Sequence, residues 1–522
     1  MLKFRKLNIF IFTAFLFLAN ACGDLEEEPI GILSPEGFFE TPEDVLTSLN
    51  GSYSAITSEE FWGRKLTLAL MLRSDMVTIG DPTTTAIRIQ VDNFQMDPSN
   101  GMVDAFWFRG FEAIASANIA IEGAGLLEGQ PEEVVNALEA EGRFLRAFVY
   151  YHFVRLFGEV PYIDYIFESA EEANTVMENT VDEVYAKIIE DLEYAKQWLP
   201  DDQGIRSRPT KGTAAGYLAS VHLTRESWDQ AYQEASFVIT NSGRFGYELA
   251  DDYQTIFNAE MVDDAQVSRE FLFTVDFRGR DESSLTGFQN YTRDYLAPVT
   301  GPRGDERFAN GEGWSVAVPT LEVFNSWDGR DYRKAVSFDT VTVMNGVTTP
   351  YTNWNMASRG VARPHIAKYF RYFGEAGLNG RDSDHNFPAM RYAEVLLIAA
   401  EALSEMNSGP TAEAESYIDM VRQRARRELD GDNANDSAFP ANITTGLNQE
   451  AFLTEVMEER RLELAFEYKR WYDLVRRRMA DEAFGMGGLE PNANFDQNRD
   501  YLMPKAQRDL ALNDNLKQNT GY

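Results

Sequence analysis

The residue types that carry out covalent chemistry are few in this chain, and their spacing does not group them. No G-x-S-x-G elbow, H-E-x-x-H pair, P-loop or G-x-G-x-x-G turn occurs. No two of the four histidines share metal-ligand spacing, and His152 lies in an aromatic helical run that reads as core. The stretch Asp430 to Asp436, DGDNAND, has the look of a calcium loop. It places Ala434 at the fifth position and no glycine at the sixth, so it reads as a solvated loop. The chain has 83 acidic residues, so carboxylate pairs of the glycosidase kind are a matter of number and not of pattern. No catalytic centre, metal or cofactor is expected.

The one cysteine, Cys22, excludes a disulfide within the chain and sits where lipid chemistry would use it. Lys3, Arg5 and Lys6 form a basic start, Leu7 to Ala19 is an apolar run too short to span a bilayer, and Ala21 precedes Cys22. This is the pattern of a lipoprotein signal peptide over residues 1–21, with Cys22 as the lipidated first residue. No later apolar run is long enough to cross a membrane, so the lipid is the expected anchor.

Non-covalent chemistry is better supplied. Neutral sugars offer flat C–H faces that aromatic rings can cover, and hydroxyls that Asp, Asn and Arg can satisfy. Trp62, Tyr291, Tyr295, Trp314 and Trp354 lie outside the strongly helical runs and are the candidates for such stacking. The formal charge of −35 repels nucleic acid and anionic lipid. It also disfavours a strongly anionic polysaccharide, unless a local basic pocket or a cation intervenes. At 44% hydrophobic and 13% aromatic content the chain is a folded protein, and no Pro/Gly/Ser linker divides it.

The elements that must position these residues are mostly helices. Thr41 to Ile56 starts with an N-cap threonine, Pro42, Glu43 and Asp44. Asp104–Glu122, Glu132–Phe157 and Val181–Trp198 are further amphipathic runs, the second closed by Gly158 and Pro161. Thr213–Arg225 with Asp229–Thr240, and Arg391 to Ala425, read as two helix pairs with small residues at the contact, like tetratricopeptide units. Between them, residues 242–387 lose the helical period and carry β-like runs such as FLFTVDF, Phe271 to Phe277. The stretch EERRLELAFEYKRWYDLVRRR, Glu458 to Arg478, organises the C-terminal part. Leu464, Tyr468 and Val475 recur at helical steps, and the pairs Arg460–Glu463, Glu467–Arg470 and Asp473–Arg476 each sit three apart. It reads as a core helix whose charges pair at the edge of the core.

The order of residues in that stretch resembles the C-terminal signature of the SusD/RagB family, ERR-EL-FE followed by RW-DL-R. Glu139 to Tyr162 (EAEGRFLRAFVYYHFVRLFGEVPY), Gly313 to Phe338 (GWSVAVPTLEVFNSWDGRDYRKAVSF), Arg391 to Ala425 and the closing LKQNTGY are also similar to family segments and stand in the family's order. The acidic Gly23 to Glu28 resembles a surface-export signal of Bacteroidetes lipoproteins. The resemblance implies a mostly α, SusD-like fold. Residues 22–522 would form one globular domain, with a helical base from 41–241 and 388–522 and a loop-rich, minor-β ligand-binding region at about 242–387. It also implies a non-catalytic outer-membrane lipoprotein that captures glycan for a SusC-like TonB-dependent transporter; RagB-like relatives bind oligopeptides on the same scaffold. Trp314 resembles a sugar-stacking position of the family's starch-binding founder. Tyr291 and Tyr295 fall where that protein has another stacking aromatic, and Asp75 falls near a polar ligand contact. The founder's remaining stacking tryptophan has no partner, because Val77 to Pro82 contains no aromatic. A glycan other than starch is implied.

Overall fold

The computed structural model describes residues 35–261, 264–277, 294–307, 313–354, 359, 361–374, 383–426 and 438–522. Cys22, Tyr291 and the Asp430 to Asp436 stretch lie outside the described residues. After a single helical turn at Pro35–Phe38 comes α1 (Pro42–Ile56), where Pro42 occupies the first helical position and the Asp44 carboxylate accepts from the Thr41 amide at 2.8 Å. The Asp44 carboxylate thereby satisfies the amide of Thr41, which stands at the N-cap where the sequence predicts it. Next come α2 (Lys65–Leu72), α3 (Ala86–Asp92), α4 (Gly101–Leu126), α5 (Glu132–Phe157), α6 (Val181–Trp198), α7 (Lys211–Thr224) and α8 (Trp228–Thr240). α5 ends where Gly158 takes a left-handed φ of 72°. After the short α9 (Leu296–Thr300), the base resumes with α10 (Tyr392–Met406) and α11 (Ala412–Arg424), the second predicted pair. The fold is mostly helical, as expected, and one contiguous core runs from Phe39 to Ala506.

The strands are short and pair only with distant parts of the chain or in a local hairpin. β1 (Val77–Ile79) pairs antiparallel with β3 (Ala317–Pro319), and β2 (Phe271–Asp276) with β8 (Asn386–Arg391). β4 (Phe338–Asp339) pairs with β7 (His365–Ile366), and β5 (Val341–Met344) with β6 (Val347–Pro350) in the hairpin. The β2–β8 pair joins the chain before Phe277 to the chain after His385, while β1–β3 ties Ala317–Pro319 back to the N-terminal helices.

The organising stretch departs from its expected single helix. Helix α12 (Gln449–Glu463) stops, and α13 (Arg470–Arg476) starts again after a turn in which Phe466 and Tyr468 both take a left-handed φ of 64°. Two non-glycine residues in that region cost energy, and the freed carbonyls show what offsets it. Glu463 O accepts from the Tyr253 hydroxyl and from Arg391, and Phe466 O accepts from the Tyr369 hydroxyl. The charges go inward. Glu463 meets Arg333, Arg391 and Arg424, Glu467 meets Arg391 and Lys368, and Arg460 turns to Asp473 and Glu394. Of the three predicted pairs, Asp473–Arg476 forms at 2.9 Å; the members of the other two take other partners. Buried charges are retained only when paired and hydrogen-bonded. Burial opposes the charge on Glu463, but the neighbouring guanidiniums hold its carboxyl well below the usual carboxylate range.

Candidate functional site

The β1–β3 ladder continues past its last residues, with the Gly80 amide donating to Val316 O and the Asp81 amide to Ser315 O at 2.7 Å. This crossing sets the turn after β1 beside the loop that carries Trp314. The Trp314 loop is pinned by its backbone: its own amide donates to Pro298 O at 2.6 Å, and that of Ser315 to Gly301 O. Gly313 lies so close to that strand of chain that a Cβ would sit 2.1 Å from Pro302 O, so a side chain there would displace the tryptophan that follows. Tyr295, at the start of α9, is held by its amide donating to Gly63 O. Trp314 and Tyr295 are both half-buried, and their ring centroids lie 5.9 Å apart with planes 48° from parallel. They form a two-ring aromatic platform.

Polar groups rim the platform. The Arg64 guanidinium lies 4.6 Å from the centre of the Tyr295 ring and is also paired with Glu59. Arg303 donates to Trp314 O at 2.9 Å and to Asp81 Oδ2 at 3.0 Å. Arg359 donates to the same Asp81 oxygen through two nitrogens, at 3.0 and 2.7 Å, and Thr83 donates to Asp81 Oδ1. Burial alone would raise the Asp81 carboxyl, but hydrogen bonds from Arg359 and Thr83 hold it below the usual carboxylate range. Arg88, on α3, donates to the Thr84 hydroxyl at 3.0 Å; burial and the charge of Arg64 push its guanidinium down to about 10.

Behind the platform, Ser315 takes a left-handed φ of 49° and its hydroxyl joins two neighbours. Arg303 N donates to Ser315 Oγ at 3.0 Å, and His365 Nε2 lies 2.9 Å from it. Nδ1 of His365 faces Arg363 O at 3.0 Å and can only donate there, so Nε2 is the acceptor and the serine hydroxyl donates to it. Burial pushes His365 down to about 3, which keeps this neutral form. Beside β1, Thr78 donates to the buried Asp92 at 3.1 Å. Burial raises Asp92 to about 7, and burial with the charge of Asp92 raises Glu490 to about 9.

The sequence candidates thus separate. Trp314 and Tyr295 come together at the surface. Trp62 does not join them. It is 2% exposed and packs edge-on against Tyr468 and His152 and tilted against Phe148, so no ring face is left for a ligand. Trp354 is likewise 2% exposed, its ring 4.2 Å from that of His365, and it forms a wall behind Ser315. Asp75 is buried and spent on Arg470, which donates to both its oxygens at 2.8 and 2.7 Å. These three expectations are corrected: the residues serve the core. His152 is core, as expected, with Nδ1 2.7 Å from the Tyr472 hydroxyl. Sequence reasoning missed Arg64, Arg88, Arg303, Arg359 and Asp81. An apolar groove of about 390 Å³ lined by Trp107, Phe111, Ile119, Tyr165 and Leu512 shares no residue with the platform.

Residues 306–522 match the model described as SusD family, and residues 67–223 match one described as starch-binding associating with outer membrane. SusD-like protein P2 of Formosa agariphila is 50% identical over 514 residues, covering 98% of this chain and 99% of its own. The fold is similar to a crystal structure of a SusD homologue from Bacteroides thetaiotaomicron, with a TM-score of 0.80 at 23% identity over 94% of this chain and 98% of that one. It is also similar to a laminarin-binding SusD-like protein, with a TM-score of 0.75 at 23% identity over 92% of this chain and 100% of that one. With a relative at half identity over nearly its whole length, the chain belongs to the SusD family.

Proposed function

We propose that the protein is a non-catalytic glycan-binding lipoprotein of the outer membrane. It is anchored through Cys22 and hands oligosaccharide to a SusC-like TonB-dependent transporter. The observation that carries the reading is the Trp314–Tyr295 platform, two half-buried rings bordered by Arg, Asp and Thr side chains. Rings supply the apolar contact for a sugar face, and the polar rim supplies hydroxyl partners. The likeness to a laminarin-binding relative supports the same class of ligand. Capture that feeds a transporter has to be reversible, so dissociation constants on the order of micromolar to millimolar are expected, about −4 to −8 kcal/mol.

The test is a glycan array on the soluble protein lacking residues 1–22, followed by calorimetry. Binding to oligosaccharides without release of new reducing ends supports the reading. Turnover that survives repurification, or binding to oligopeptides with none to any glycan, overturns it.

A further inference from the structure

The groove of about 390 Å³ along α4 leaves large apolar side chains in water. Ile119 is 36% exposed, Ile166 37%, Tyr165 43% and Leu512 59%, above a buried floor of Trp107 and Ile114. A folded chain seldom gathers such side chains at its surface unless something covers them. The floor is held in place: the Trp107 indole donates to Asp509 Oδ2 at 2.6 Å, and its ring stacks on that of Phe153 at 5.6 Å. Every residue that lines the groove is a described one, from α4 and the stretches 161–176 and 509–516.

The described chain begins beside this groove. The Phe39 ring packs on Gly123 of α4, and the helical turn Pro35–Phe38 leads into it. With successive residues about 100° apart on a helix, Ile119, Ala115 and Phe108 lie within about a quarter turn of Gly123, so a chain entering at Pro35 has this face to run along. Thirteen residues, Cys22 to Ser34, precede Pro35. They divide into an acidic part, Asp24 to Glu28, and an apolar part, Ile30 to Leu33. The lengths agree. An extended chain from Pro35 back to Glu28 covers about 23 Å, and α4 from Gly123 to Phe108 covers about 22 Å. Such a run sets Leu33, Ile32 and Ile30 over the groove. It brings Glu28 to the far end, where the Arg508 guanidinium lies 4.9 Å from the centre of the Phe108 ring. A second copy of the chain suits the groove less well. Asp164, Glu168, Glu171 and Glu172 punctuate the wall 161–176, and two such walls face to face repel each other.

We propose that the groove is the seat of the chain's own N-terminal segment, with Ile30, Ile32 and Leu33 covering Phe111, Ile119 and the Tyr165–Ile166 wall. Each aliphatic side chain then leaves water for an apolar surface. The segment is short, but its tether to Pro35 gives it an effective concentration at the groove on the order of millimolar. One consequence rests on the lipoprotein reading: a seated segment leaves only Cys22 to Glu28 free, roughly 20–25 Å at full extension, and holds α4 towards the membrane.

The test uses residues 23–522, which contain the whole core from Phe39 to Ala506 and no cysteine, and residues 35–522, which contain the same core. Leu33→Cys is paired with Ile119→Cys in the longer chain under mild oxidation, with Leu33→Cys and Met420→Cys, on α11, as the control. Ile119→Cys alone is then labelled with iodoacetamide in both lengths. The expected result is a disulfide within one chain for the first pair and little for the control. Labelling should be about tenfold slower, or more, in the longer chain, because the thiol is reached only when the segment lifts. Ile30→Asp with Leu33→Asp should restore the rate of the shorter chain without moving the unfolding midpoint. Equal labelling in the two lengths, or crosslinking no better than the control, overturns the proposal. So does a disulfide between two chains in a dimer that grows with concentration, which assigns the groove to a second copy. Glycan binding should be the same in both lengths, so failure here leaves the glycan reading standing.

Discussion

Replacing Trp314 and Trp62 by alanine in parallel separates binding from packing. Trp62 is enclosed by Phe148, His152 and Tyr468 at centroid distances of 5.5 to 5.7 Å and is 2% exposed. Truncation there leaves a cavity that rigid aromatic neighbours cannot fill, at a cost of ~3–5 kcal/mol. Trp314 is half-buried, its backbone is held independently of the ring by Pro298 O and Arg303, and its main aromatic neighbour is Tyr295. Its burial is only partial and a neighbouring solvent-facing edge lets the site relax, so a smaller ~1–2 kcal/mol is expected. Affinity should show the reverse order. A stacking ring is worth ~1–3 kcal/mol by analogy with base stacking, against a total of only about 4–8 kcal/mol. Trp314→Ala should therefore weaken binding by about 5- to 150-fold, enough to remove a measurable calorimetric signal. Trp62→Ala, where it folds, should bind almost normally. The assays are isothermal calorimetry and thermal unfolding of both variants. A large fall in unfolding midpoint for Trp314→Ala with affinity intact would place that ring in the core and refute the platform.

The remaining predictions concern charge and anchor. Glu463→Gln removes the carboxylate that Arg333, Arg391 and Arg424 share in the core, and should cost ~3–5 kcal/mol in denaturant unfolding; Asp328→Asn, at the exposed pair with Arg330, should cost nothing measurable. Burial holds the neighbouring carboxyls of Asp92 and Glu490 well above their unfolded values of about 4, to about 7 and about 9 for the coupled pair. The native state therefore holds more protons on these two groups across that window, so the stability they contribute is fully present below about pH 4 and is lost as pH rises towards 9. Unfolding midpoints should fall with alkalinity, and Glu490→Gln should flatten the fall; an unchanged slope contradicts the assignment. Cys22→Ala should move the protein from the membrane fraction to the soluble fraction, and retention with the membrane would end the lipoprotein reading.

The parts of the fold that were legible in the sequence are those decided locally. The ends of α5 and α6 are set by Pro131 with Gly158 and by a Thr180 capping box with Leu199, and they lie where the amphipathic period starts and stops. The break between α12 and α13 was not legible, because the apolar stripe continues in register through residues 464–469 while the backbone does not. What breaks it is long-range: Arg391, Tyr253 and Tyr369 demand carbonyls and carboxylates that a continuous helix would keep to itself. The same logic misdirected the pairing of Glu467 and Arg470. Spacing of three makes a pair possible, but a buried Lys368 and a buried Asp75 are stronger claimants than a neighbour on the same turn.

The site divides along the same line. Trp314 could be singled out in the sequence because it sits in a motif of fixed order, behind a glycine whose missing Cβ lets two backbones touch. Exposure was not legible: Trp62, Trp354 and Trp314 are alike in one dimension, and only packing against His152 or His365 shows which rings have no free face. The arginine rim is harder still. Arg64, Arg88, Arg303 and Arg359 come from four separate stretches, and none belongs to a motif. They meet because β1 pairs with β3 across some 240 residues and carries Asp81 against the Trp314 loop. A carboxylate at that crossing gathers two guanidiniums, those of Arg303 and Arg359. The polar rim beside Trp314 is therefore a property of the topology and not of any segment, because its side chains are gathered by a strand crossing that no local stretch announces.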